Sequence, residues 1–132
     1  MVLYTKCIFK EKFDSGGLRI SVMSRHTLND GKASDFRIKK DSYDEHLRIL
    51  APPDKLVGDY YKRGLVWEDF SRKYLDYIRN EDVAHFIREL ARKSLTENIS
   101  LLCIEEIADK CHRKLLAEEC KRYEPFLKVV HL

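Results

Sequence analysis

The stretch from Ile99 to Tyr123 constrains the fold more than any other part of the sequence. The run from Ile99 to Ile104 is apolar without alternation and too short for a typical helix, which indicates a strand covered on both faces. From Cys111 the apolar residues recur at helical spacing, at Leu115, Leu116, Cys120 and Tyr123. A strand followed by a helix N-terminus is typical of the edge where α/β folds carry functional groups, because free backbone N–H groups there attract anions.

Length and composition limit the class of protein. With 132 residues the chain can build one hydrophobic core, so we predict a single α/β domain over 1–132. The net charge of +3 permits an anionic ligand but lacks the basic excess of dedicated nucleic-acid binders. No apolar run approaches the roughly 20 residues of a membrane helix. The four cysteines, without a recognisable export signal, indicate free thiols and a cytoplasmic location.

The remaining patterns alternate between strands and helices. Strands are expected over 2–9, 18–23, 99–104 and 126–132. Helices are expected from Ser42, whose spacing to Glu45 has the form of a capping box, and from Pro53. Three more follow over 67–78, 83–91 and 111–123, the last with Asp109 as its N-cap. This order predicts a small three-layer α/β fold with a mainly parallel four-stranded sheet flanked by about five helices.

Two connections lack helical or strand periodicity. The residues from Asp14 to Gly17 form a turn by composition. The polar stretch over 27–40 is long enough that we interpret it as a mobile, functional loop.

The strand–helix junction holds the candidate catalytic residues. Cys111 begins the helix and is followed by His112, a placement that favours a thiolate. Cys103 lies near the carboxyl end of the strand, and Glu105 lies two residues further on. Cys103, Glu105, Cys111 and His112 are therefore candidates for nucleophilic or acid–base work. A packing role stays open for the two cysteines, an ion pair with Arg113 for Glu105, and a hydrogen bond to a backbone carbonyl for His112.

Three cationic or titratable residues are candidates for ligand binding. Arg113 offers a planar fork for a carboxylate or phosphate, and it could equally pair with Glu105. Arg25 and His26 end the second strand and would reach the same cleft if the two strands are neighbours.

Two more specific sites fit the spacing poorly. The spacing C-x7-C-H matches no common structural zinc pattern, so we expect no metal there. A phosphate cradle needs a glycine-bearing loop after the cysteine, whereas Glu105 and Glu106 stand there and would repel the anion.

The chain resembles the family called domain of unknown function 488 over most of its length. The most specific likeness is Leu101–Glu105 together with Cys111–Arg113. Other matching segments are 19–25, 47–53, 67–70 with Tyr74, and 130–131. The resemblance implies a compact α/β fold and names no reaction. The sequence departs from the family after Arg25, where a Trp-Pro-Arg-Gly-like segment is common and His26–Gly31 stands instead.

Three functions remain open from the sequence. The first is a small enzyme of unidentified reaction and cofactor that binds an anionic small molecule at the junction. The second is a non-catalytic module that binds a nucleotide or nucleic acid through the basic residues Arg25, Arg37, Lys39, Lys40 and Arg113. In the third, the Cys-His-Arg cluster is a purely structural latch.

Overall fold

A parallel five-stranded sheet organises the computed structural model, which describes residues 1–10, 16–28 and 32–132. The strands are β1 (Val2–Cys7), β2 (Leu18–Ser21), β3 (Glu45–His46), β4 (Ile99–Cys103) and β5 (Lys128–His131), in the order β3-β2-β4-β1-β5. Every pairing between these strands is parallel. All five residues of β4 are buried, as its unbroken apolar run predicts for a strand covered on both faces.

The helices are α1 (Asp54–Lys62), α2 (Trp67–Ile78), α3 (Glu81–Ser94) and α4 (His112–Tyr123). Short 3-10 turns occupy Lys40–Ser42, Arg48–Leu50 and Ala108–Lys110. The α/β class and the largely parallel sheet are confirmed. The counts differ, since the described residues form five strands where four were predicted, and four α-helices where about five were predicted.

The main core lies between the helices and one face of the sheet. It joins apolar side chains of α1 to α4 to strand residues including Leu3, Ile20, Ile99 and Leu101. Leu102 points to the opposite face, because successive strand residues alternate, and there it packs with Ile38 and Tyr43 in a smaller cluster. None of the helices in the described ranges is long and apolar enough to cross a membrane.

The predicted helix from Ser42 is wrong. Residues Glu45–His46 form β3 instead and pair with Ile20 and Ser21 of β2. The Asp44 carboxylate accepts hydrogen bonds from the backbone N–H and guanidinium of Arg19, at 2.9 and 3.0 Å. The free edge of β2 therefore supplies hydrogen-bond partners for the backbone of this segment. That pairing is favoured over the helix that the local capping box would begin.

The N-cap of α4 also lies later in the chain than predicted. Asp109 lies within a 3-10 turn, and Cys111, in an extended conformation, is the residue before the helix. The predicted turn from Asp14 to Gly17 is only partly described, because Asp14 and Ser15 lie outside the described residues. Part of the 27–40 loop, residues 29–31, also lies outside them.

Glu119 of α4 ties that helix to the end of α2. Its buried carboxylate accepts hydrogen bonds from the Nε atoms of Arg79 and Arg122, both at 2.8 Å. Burial alone would raise the pKa of Glu119, but the two guanidinium groups outweigh it and hold the pKa at about 2. The folded pKa therefore lies below the unfolded value of about 4.3, so the stabilisation is complete above that pH and is lost as the pH falls towards 2.

We expect the Glu119→Gln variant to lose about 1–3 kcal/mol of unfolding free energy at pH 7, and clearly less at pH 3. Urea unfolding at the two pH values measures this. The exposed neighbour Glu118, changed to Gln, is the matched control and should differ little at either pH. A loss that is equal at both pH values would contradict this role of Glu119.

Candidate functional site

The candidate site lies at the carboxyl edge of the parallel sheet, where β4 ends and α4 begins. A cavity of about 480 Å³ opens there, within the range of small-molecule binding sites. Cys103, Glu105, Cys111 and His112 all line it. The structure therefore brings the four candidate catalytic residues together on one cavity, although their catalytic roles stay predictions.

Cys103 ends β4 with its sulfur 3.7 Å from Nδ1 of His112. The pKa of Cys103 is lowered, first by a hydrogen bond from the Cys111 thiol. Burial opposes this shift, while the backbone N–H groups of Glu105 and Ile104 and the charge of Arg113 support it. The pKa of this buried thiol is therefore lower than that of a free cysteine.

His112 is fixed by the backbone on its far side. Its Nε2 lies 2.7 Å from the carbonyl oxygen of Val22, and only an N–H can make that hydrogen bond to a carbonyl. Neutral His112 therefore carries its proton on Nε2 and presents the lone pair of Nδ1 to Cys103. The ring also packs edge-on against Tyr74, with centroids 5.4 Å apart.

Cys111 completes a cluster of three potential metal ligands. The pKa of Cys111 is raised, first because its thiol donates to Cys103 and then because it is buried. One ligand atom each from Cys103, Cys111 and His112 lie within 4.8 Å of one another. We call these three residues the thiol–imidazole cluster.

Glu105 faces the cavity beside a tyrosine from α1. The Tyr61 hydroxyl donates to Oε1 of Glu105 at 2.5 Å. Partial desolvation of the hydroxyl, and then the hydrogen bond to Glu105 and its charge, raise the pKa of Tyr61, so it stays protonated as a donor. A carboxylate that can take or give a proton thus lies on the same cavity as the cluster.

Arg113 does not line the cavity. Its side chain is fully buried, and its guanidinium donates to the backbone carbonyls of Glu105 and Glu106. These hydrogen bonds hold the loop that follows β4, and a ligand-binding role for Arg113 stays a prediction.

The two other ligand-binding candidates separate. Arg25 lines the cavity, where it forms a 2.7 Å ion pair with Asp54 at the start of α1. His26 does not line it, since Nε2 of His26 lies 2.7 Å from the Ser21 hydroxyl and its ring stacks on His46 at 4.1 Å. Burial, followed by the charge of His46, lowers the pKa of His26 to about 4.

The basic residues considered for nucleic-acid binding do not share one environment. Arg37 forms a 2.7 Å ion pair with Asp35 and lies over the ring of Phe9. Arg113 is buried, while Lys39 and Lys40 are both exposed. That binding role stays a prediction.

The part of the cavity wall that comes from α1 and α2 was not predicted from the sequence. Besides smaller residues, this part includes aromatic and basic side chains, among them Tyr60, Tyr61, Lys62, Trp67 and Phe70. The helical spacing of the four aromatic residues predicts a place in the core for all of them. Tyr61 is in fact 57% exposed, and nothing in the helical spacing predicts this exposure.

A family model described as the active DUF488-N3 subclade matches residues 3–124, nearly the whole chain. The chain belongs to the DUF488 family. The searches of curated proteins and of solved structures found no match. The DUF488 match includes β4, α4 and the whole thiol–imidazole cluster, whereas residues 130–131 lie beyond it.

Proposed function

We propose that this DUF488 protein is a small enzyme that takes up a small anionic organic molecule in the cavity and acts on it at the thiol–imidazole cluster. The observation that carries the proposal is the shared cavity, which brings Cys103, His112 and Glu105 to one space of about 480 Å³. Structural cysteines are usually packed in apolar surroundings and inert. Here a sulfur, an oriented imidazole and a carboxylate line a single opening.

The cavity wall supports an anionic substrate with a flat apolar part. Its basic side chains outnumber its acidic ones, with Arg25, Lys62, Arg63 and Lys110 against Asp54 and Glu105. No carboxylate within the described parts of the chain forms a salt bridge with Lys62 or Lys110. The rings of Tyr60, Trp67 and Phe70 supply a surface on which a planar group can pack.

Each polar group has a position suited to one task. Cys103 can attack an electrophilic atom or bind one, with the Nδ1 lone pair of His112 beside it. Glu105, hydrogen-bonded to Tyr61, is the proton-transfer group. We further propose a reducing compartment such as the cytoplasm, because a working cluster needs free thiols.

The proposal is tested by the rates at which two reagents alkylate Cys103, neutral iodoacetamide and anionic iodoacetate. We expect the ratio of the iodoacetate rate to the iodoacetamide rate to exceed that of a free thiol by about 3- to 10-fold, because the basic wall attracts the anion. The chelator-treated full chain is used, and peptide mass mapping identifies the modified cysteine.

The matched variants separate the wall from the overall charge. Changing Lys62 and Lys110 to Ser should abolish the preference for iodoacetate, whereas changing Lys55, which lies outside the cavity wall, should leave it. A ratio equal to that of a free thiol would reject the anionic substrate. If neither reagent reacts with Cys103 in the folded chain, the structural latch is favoured.

A further inference from the structure

We infer that Cys103, Cys111 and His112 bind a divalent metal ion of the zinc class, with the fourth coordination position open to the cavity. The inference rests on the proposed function and extends it. It names a metal ion, held by the thiol–imidazole cluster, as the group that would contact the substrate. It concerns a metal that the sequence spacing alone does not favour.

One pair of ligand atoms already has the separation that a tetrahedral ion requires. Zinc binds sulfur at about 2.3 Å and imidazole nitrogen at about 2.0–2.1 Å, so a tetrahedral angle sets the two donors about 3.6 Å apart. The sulfur of Cys103 lies 3.7 Å from Nδ1 of His112. The Cys111 sulfur falls within the same group, whose ligand atoms are all within 4.8 Å. Only small side-chain movements are needed to close the three donors on an ion.

The hydrogen-bond partner of the histidine ligand is also typical of a metal site. A metal-binding histidine almost always donates its other ring N–H to a carbonyl or carboxylate, which fixes the ring and its tautomer. His112 does this through Nε2 to the carbonyl of Val22, and it leaves Nδ1 for the ion.

The donor set selects the metal and the kind of site. Two thiolates and an imidazole suit zinc and exclude the hard ions magnesium and calcium, which prefer oxygen ligands. Three protein ligands with one free position are the arrangement of catalytic zinc, whereas structural sites use four. All three ligands line the cavity that Glu105 also lines, so the fourth position would open into that cavity. The common spacing patterns describe closed structural sites with four protein ligands, whereas the site inferred here has three.

The test uses Co²⁺ and Zn²⁺ on the reduced, chelator-treated full chain. We expect stoichiometric Co²⁺ binding with a sulfur-to-cobalt charge-transfer band and the strong visible bands of four-coordinate cobalt, displaced by Zn²⁺. Changing Cys111 to Ser or His112 to Gln should weaken binding by more than about 100-fold, beyond the loss typical of outer-shell partners. Changing Cys7 to Ser is the matched control, since Cys7 pairs with Cys103 across the sheet but is outside the cluster.

A second measurement does not depend on the variants being folded. Bound Zn²⁺ should protect Cys103 and Cys111 of the wild-type chain from iodoacetamide and leave the reaction of Cys7 unchanged. Absence of the charge-transfer band, or equal Co²⁺ affinity in the wild type and both variants, would overturn the inference. If the metal-free chain nevertheless shows the iodoacetate preference at Cys103, the proposed function survives and only the metal is rejected.

Discussion

Replacing Arg113 with Met will lower the free energy of unfolding by about 2–4 kcal/mol, although methionine retains much of the side-chain volume. The guanidinium is fully buried and donates to the carbonyls of Glu105 and Glu106, so its loss leaves both acceptors without their charged donor. Because these carbonyls belong to the loop that carries Glu105, the amide protons of 104–108 should also exchange faster with solvent.

Urea unfolding and hydrogen exchange measure the two effects of Arg113→Met. The adjacent and only partly buried Lys114, changed to Met, is the control and should stay within about 0.5 kcal/mol of the wild type. Wild-type stability and exchange in Arg113→Met would show that the guanidinium does not hold the loop.

Replacing Gly17 with Ala will destabilise the protein by about 3–5 kcal/mol. Gly17 has a φ of +66°, and a Cβ there would lie 1.9 Å from the carbonyl oxygen of Asn98. That oxygen accepts the backbone hydrogen bond of Leu18 at the start of β2, while the Asn98 side chain binds the N–H of Val2. The clash therefore acts where β1, β2 and β4 begin.

Gly64 provides the comparison for Gly17. Its φ is +76°, but nothing lies within 4 Å of the position that an alanine Cβ would take, so Gly64→Ala should cost only the backbone strain, about 1 kcal/mol. Thermal and urea unfolding of both variants give the difference. Equal losses in the two variants would contradict the close approach of Gly17 to Asn98.

The local sequence was enough to predict the elements whose apolar pattern reflects their burial. The unbroken apolar run of β4 and the helical stripe of α3, which starts after its Asn80 cap, both appear as predicted. Ser42 and Glu45 misled the prediction because a capping box is a local preference. The competing partner, the edge of β2 with Arg19, lies far away in sequence.

The candidate site also has residues that the local sequence predicts and residues that it does not. Cys103, Glu105, Cys111 and His112 share the cavity because one strand end and one helix start carry them all. Arg113 differs, since its position one residue further along α4 turns its side chain by about 100° away from that of His112. Tyr61 comes from α1, and its meeting with Glu105 depends on tertiary packing that no local pattern contains.

Access to the cluster depends on the cavity, and the cavity wall offers a way to block it. Val57 lines the cavity, so Val57→Trp should slow the alkylation of Cys103 by iodoacetamide by about 10-fold or more. Val66 is exposed and outside this cavity, so Val66→Trp should leave the rate unchanged. An unchanged rate in Val57→Trp would show that the reagent reaches Cys103 by another route.

The most direct test of the central claim is to map which cysteine of the folded, metal-free chain reacts first with iodoacetamide. Cys120 is fully buried in the main core, where burial raises its pKa to about 12. We predict that Cys103 reacts at least about 10-fold faster than Cys120. Equal rates, with both thiols reacting only when the chain unfolds, would contradict a solvent-reached site and leave the cluster as part of the packed interior.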